Sequence, residues 1–250
     1  MTISRIVPRV LFFGSLLIAT QPAIAGEDSG FAAYRNNDFV AARKALLPLA
    51  ESNDVTAQRY LGNIYANGHG VALDYTQARF WYGKAAQNGD AKSQYNLGFL
   101  YEYGLGVDLD YTKSAHWYRK AAESGDARAQ NNLGLFCELG RGLSQDYREA
   151  ARWYRMAAKQ GDSDAERNLG YMYQLGRGVT KDYSRAAFWY RKAATLGNAE
   201  AQANLGYLYR AGLGVERDLD EANRLFSLAA SNGNFWAEAQ LKSRQATGRQ

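Results

Sequence analysis

The chain has 250 residues, 46% of them hydrophobic and 13% aromatic, which supplies a packed core and excludes an intrinsically disordered protein. Its 30 lysines and arginines are interleaved with 25 aspartates and glutamates along the whole length, so no basic stripe offers itself to phosphate, and nucleic acid is excluded as the expected partner. Cys137 is the single cysteine, so no internal disulfide can form and packing must hold the fold together.

Residues 1–25 read as a secretory signal. Arg5 and Arg9 stand without any acid, an apolar run follows from Val10 to Ala19, and Ala23-Ile24-Ala25 forms a small-x-small cleavage site before Gly26. The run is well short of the roughly 20 residues that cross a bilayer. No cysteine follows it to carry a lipid. The expectation is a periplasmic or secreted protein, cut after Ala25, with no stable membrane insertion afterwards. Arg5 and Arg9 are the only charges removed, which leaves 28 basic residues against 25 acidic, a net charge of about +3.

Residues 26–53 predict a leading helical hairpin. Asp38, Ala42 and Ala50 keep a 36-residue frame with Asp74, Ala78 and Ala86, and Asn36-Asn37 closes the hairpin. That frame then repeats without insertion through residues 54–89, 90–125, 126–161, 162–197 and 198–233. Trp81, Trp117, Trp153 and Trp189 follow it, as do a Leu-Gly pair beginning at 61, 97, 133, 169 and 205 and a GxG triplet beginning at 68, 104, 140, 176 and 212.

Within each unit the pattern predicts two helices. In "DAKSQYNLGFLYEYG" the apolar Leu97, Leu100 and Tyr101 recur at helical spacing, and the GxG that follows ends helix A. Asp110 then caps helix B, "YTKSAHWYRKAAESG", and Asp74, Asp146, Asp182 and Asp218 stand at the same place in the other units. Glycine in mid-helix costs about 1 kcal/mol relative to alanine. Its recurrence at Gly98 and equivalents therefore predicts a close crossing of helix B, with Trp117 and Ala121 as the facing residues. Residues 234–250 predict a final capping helix and tail, with Leu241 in the leucine frame and Lys242 in place of the glycine.

No catalytic, cofactor or metal constellation emerges. The GxG triplets lie between helices, with no strand before them and no Lys-Ser/Thr after them, which fails the context of a phosphate loop. His69 and His116 occupy different frames and have no second ligand at metal spacing. The recurrent aspartates are explained as caps. Cys137 stands where siblings carry tyrosine, which predicts a buried, inert thiol, with an intermolecular disulfide as the alternative.

The units resemble the Sel1-like repeat of the tetratricopeptide-like solenoids. The resemblance rests on "AQxNLGxxYxxGxGV" followed by "DYxxAxxWYxKAAxxG" and covers residues 54–233. Leu225-Phe226 in place of Trp-Tyr, and Cys137 in place of tyrosine, are its main departures. It implies an all-α, right-handed solenoid of stacked helix-turn-helix repeats, and a monomeric, non-enzymatic scaffold or regulator that binds a protein or peptide in its concave groove. It also brings two alternatives: β-lactam binding or hydrolysis, as in a cysteine-rich branch that staples its repeats with paired cysteines, and binding of envelope glycan.

Comparing the units with one another locates a candidate surface. One face of helix A varies between units while the core frames hold still, and it carries Arg59, Asn63, Tyr95, Phe99, Glu102, Asn131, Leu135, Glu138, Arg167, Tyr171, Gln174, Tyr207 and Arg210. Tyr and Arg dominate interface hot spots. The expectation is that this face points away from the core, with Tyr95, Phe99, Tyr171 and Tyr207 as an apolar ladder. Arg119 and Arg155 are expected on the outer face of helix B.

Overall fold

The structure, a computed structural model, describes residues 28–247, with side chains described from 29 to 242. Residues 1–25, which the sequence reads as a secretory signal, lie outside the described residues. Among the described residues there are thirteen α-helices and no strand. Helices α1 (Asp28–Arg35) and α2 (Phe39–Glu51) form the leading hairpin. The A helices are α3 (Val55–Asn67), α5 (Ala91–Tyr103), α7 (Ala127–Leu139), α9 (Ser163–Leu175) and α11 (Ala199–Ala211). They alternate with the B helices α4 (Tyr75–Gln87), α6 (Tyr111–Glu123), α8 (Tyr147–Lys159), α10 (Tyr183–Thr195) and α12 (Leu219–Ser231), and α13 (Phe235–Thr247) ends the series. The 36-residue period is thus two helices of 13 residues and two fixed connections. The helices group into two compact units that divide between Gly125 and Asp126, one with α1 to α6 and the other with α7 to α13. In each unit, consecutive helices pack against one another.

Local chemistry fixes the boundaries. Asp74, Asp110, Asp146, Asp182 and Asp218 each accept backbone N–H groups from the first turn of a B helix. Asp54, Asp90, Asp126, Asp162 and Asn198 do the same for the A helices. Such a cap contributes about 1 kcal/mol, so the start of each A and B helix is specified locally as well as by packing. Helix A ends where the first glycine of the triplet turns left-handed, as at Gly176 with φ of +74°. The second glycine has another task. Gly178, with φ of +67°, lies so close to the start of α8 that an added Cβ would overlap the carbonyl of Tyr147 and stand 2.7 Å from the amide nitrogen of Arg148.

The mid-helix glycine marks a close crossing, as the sequence predicts, but its partner is the tyrosine beside the tryptophan. A Cβ at Gly98 would stand 2.8 Å from the Tyr118 ring, at Gly134 2.7 Å from Tyr154, and at Gly170 2.7 Å from Tyr190. Tyr82, Tyr118, Tyr154 and Tyr190 are fully buried, whereas Trp117 and Trp189 are only partly so. The expectation that Trp117 faces Gly98 is therefore corrected. A planar ring lies flat on a surface that lacks Cβ, and the bulkier indole takes the neighbouring position.

Cys137 is completely buried, which fits the inert thiol and removes the accessibility that a disulfide to another chain requires. His69 is partly buried and stacks on Phe39, with ring centroids 4.2 Å apart, and that burial lowers its pKa.

A buried amide recurs between repeats. Gln58, Gln94 and Gln202 donate from Nε2 to the carbonyls of Ala50, Ala86 and Ala194, at 3.0, 3.1 and 3.2 Å. In the same frame Glu166 is 1% exposed, pairs through Oε1 with Lys192 Nζ at 2.9 Å, and leaves Oε2 buried without a hydrogen-bond partner. Glu166→Gln should therefore stabilise the protein by about 1 kcal/mol, since it supplies the missing donor and keeps an acceptor for Lys192. Urea unfolding of the two proteins checks this. A lower midpoint for the variant would show that the charge on Glu166 matters more than the missing donor.

Candidate functional site

The helix A face does not point uniformly away from the core, and here the expectation is corrected. Phe99, Asn63 and Glu102 are 5%, 6% and 9% exposed. Phe99 packs on Tyr103 with ring centroids 4.4 Å apart. Five of the candidate residues receive the hydroxyl, or cover the ring, of the aromatic residue that lies on the mid-helix glycine. Tyr82 donates to Asn63 Oδ1 at 2.7 Å, Tyr118 to Glu102 Oε2 at 2.7 Å, Tyr154 to Glu138 Oε2 at 2.9 Å and Tyr190 to Gln174 Oε1 at 2.7 Å. In the last repeat Phe226 has no hydroxyl, and Arg210 instead sits over its ring at 5.2 Å.

The variation between repeats thus follows the needs of the interior. The first repeat has Ala66 where the next three carry an acceptor, and Asn63, one turn earlier, takes the hydroxyl. A buried phenol without an acceptor costs roughly 1–3 kcal/mol, enough to tie these positions together. Burial raises the pKa of Tyr154, with Glu138 adding to the shift, and burial raises that of Tyr190 against the opposing charge of Arg167. Both phenols therefore remain hydrogen-bond donors.

The rest of the face is more open. In the first unit, Arg59 Nε lies 3.4 Å from Asp90 Oδ2, and Tyr95 is half-buried against Tyr118 with ring centroids 5.6 Å apart. In the second unit, Asn131 accepts from Asn168 at 2.9 Å and Leu135 is half-buried. Tyr171 and Tyr207 are 38% and 36% exposed. Arg167 Nε is buried without an acceptor. The aromatic ladder is accordingly reduced to Tyr171 and Tyr207, with Phe99 reassigned to the core. Arg155 is not a bystander either, since it donates to the Tyr173 hydroxyl at 3.3 Å. Burial raises the Tyr173 pKa, but hydrogen bonds from Arg155 and Arg185 outweigh it and leave that pKa lowered.

The reassignment is testable. Phe99→Leu, which installs the residue found at 135, should cost about 1 kcal/mol, whereas Tyr171→Leu should stay within about 0.5 kcal/mol of the parent. Equal unfolding midpoints for the two variants would return Phe99 to the surface.

Among the described residues, no cluster of three His, Cys, Asp or Glu side chains could hold a metal ion. No described helix is long and apolar enough to cross a membrane. Capped helix pairs at a fixed period, a side-chain-free crossing and a glycine contact between repeats define an α-solenoid of the tetratricopeptide-like kind. The chain belongs to the Sel1 repeat family, whose sequence profile matches residues 55–90, 91–126, 127–162, 163–198 and 199–234.

Solved structures agree. A protective antigen of uropathogenic Escherichia coli with this repeat fold is 38% identical, with a TM-score of 0.83 over 90% of this chain and 49% of its own, so the chain spans about half the length of that relative. A Sel1 repeat protein from Oxalobacter formigenes is 36% identical, with a TM-score of 0.81 over 86% of each chain. A Sel1 repeat protein from Klebsiella pneumoniae, at 22% identity and a TM-score of 0.51 over 80% of this chain and 98% of its own, shares the fold. Among proteins of curated function, none matches this sequence. Sel1 repeats commonly mediate protein–protein interaction.

Proposed function

We propose that this protein is a non-catalytic interaction scaffold that binds an extended segment of another protein along the exposed part of its helix A face. It acts as a monomer in the periplasm or outside the cell after cleavage behind Ala25. The observation that carries the reading is the placement of Tyr171 and Tyr207. They hold one position on consecutive A helices and are more than a third exposed, while the aromatic column behind them is buried. Large aromatics kept at the surface in register are a common feature of recognition faces. Their cost in solubility is tolerated more readily where a partner covers them.

The test compares binding partners recovered from envelope extract by the parent and by a Tyr171→Ser, Tyr207→Ser double variant. Loss of the same captured protein, with an affinity cost of about 2 kcal/mol or more in purified form, supports the reading. Capture that is indifferent to both substitutions moves the binding surface elsewhere. Intact-mass measurement on exported protein tests the location, and residues 1–25 retained on the chain would overturn it.

A further inference from the structure

One cation on this face has lost the carboxylate that its counterpart in another repeat possesses. Arg59 and Arg167 occupy the same position of helix A in the first and fourth repeats. Arg59 is neutralised by Asp90, the residue that caps the next A helix, and their side chains are 17% and 18% exposed. The cap that stands in that relation to Arg167 is Asn198. An asparagine caps a helix as well as an aspartate does, but it brings no charge. Its amide turns instead to Asp164, donating from Nδ2 to Oδ1 at 3.0 Å.

Asp164 is a poor substitute partner for Arg167. The two side chains reach only 4.0 Å of each other, Asp164 is 62% exposed, and the oxygen nearest the guanidinium is the one Asn198 already occupies. Both arginines bury Nε without a hydrogen-bond acceptor, but Arg167 is the more open of the two, 32% exposed against 17% for Arg59. A half-buried guanidinium with open donors favours a carboxylate, because both charge and fork geometry match.

We infer that Arg167 is the specificity point of the helix A face and selects an internal aspartate or glutamate of an extended peptide. This rests on the peptide-binding reading given above. An internal side chain, rather than a chain end, follows from what flanks the arginine. Leu135 on α7 and Tyr207 on α11 hold the position that Tyr171 holds one turn beyond Arg167 on α9. The bound chain therefore has apolar ground to either side and continues past the charge.

The test uses the full chain and an array of ten-residue peptides with randomised flanks, whose central residue is Asp, Glu, Asn or Gln. Each is made with a free and an amidated C-terminus. The parent should prefer central Asp or Glu about tenfold over the amides, as a charge-assisted hydrogen bond in a partly desolvated site warrants. Arg167→Gln should erase that preference. So should Asn198→Asp, which restores the internal counter-charge while retaining a capping residue used in four sibling repeats. Melting temperatures of both variants confirm that they are folded.

Peptides that bind with no acidic preference, or with a preference that survives both substitutions, would overturn the role of Arg167 and leave peptide binding intact. A preference confined to free C-termini would overturn the internal-residue assignment. Failure of every peptide to bind would overturn the peptide-binding reading and this one with it.

Discussion

Replacing Tyr154 by alanine should destabilise the protein by about 3–5 kcal/mol, the range for removing a large aromatic side chain from a core. Tyr154 is fully buried, its ring lies on the bare backbone of Gly134, and its hydroxyl donates to Glu138. Truncation opens a cavity that neither helix can close, because α7 already approaches as near as a glycine allows. Tyr154→Phe separates packing from hydrogen bonding. It keeps the ring and leaves Glu138 with Arg177, 3.5 Å away, so it should cost only about 1 kcal/mol. Urea unfolding followed by circular dichroism provides both numbers. A loss under about 1 kcal/mol for the alanine variant would show that the tyrosine column is not the core of the repeat.

That column explains how far the sequence could be read. The period, the aspartate caps and the GxG turns were all legible, because each depends on residues close together in the chain. The mid-helix glycine announced a close crossing for the same reason. What faced it was not legible: Trp117 and Tyr118 are neighbours with equal claim by composition, and a shift of one residue turns a helix by about 100°. The crossing geometry of α5 on α6 decided for the tyrosine.

The candidate face was misread for a related reason. Differences among Asn63, Glu102, Glu138, Gln174 and Arg210 look like the drift of a recognition surface. They are adjustments of an internal acceptor to the presence or absence of one hydroxyl, at Tyr82, Tyr118, Tyr154, Tyr190 and Phe226. A signal for this was present in the sequence, since the one repeat with Phe in place of Tyr is also the one with Arg in place of an acceptor. That Arg167 lacks the partner Arg59 has was readable in principle too, from the asparagine that stands at 198 in place of aspartate. Only the 3.4 Å approach of Arg59 to Asp90 shows that the cap and the arginine belong together.

The second large effect is expected where one repeat is laid against the next. Gly178→Ala should cost about 2–5 kcal/mol, combining left-handed strain of about 1–2 kcal/mol with steric overlap of about 1–3 kcal/mol. The overlap falls on the backbone of Tyr147 and Arg148 at the capped start of α8, which cannot rotate aside as a side chain can. Gly161→Ala is the control for conformation alone. Its φ is +84°, but a Cβ there meets nothing within 4 Å, so it should show the strain without the overlap. Gly83→Ala is the control for the opposite sign. It lies inside α4 with open space and no positive φ, and should stabilise the protein by about 0.5–1 kcal/mol through helix propensity. Unfolding midpoints of the three variants in urea should therefore rank Gly83→Ala above the parent, Gly161→Ala modestly below it and Gly178→Ala far below. If Gly178→Ala falls no further than Gly161→Ala, the close contact of the GxG turn with the preceding helix B does not exist in solution, and the second glycine is retained for its backbone angle alone.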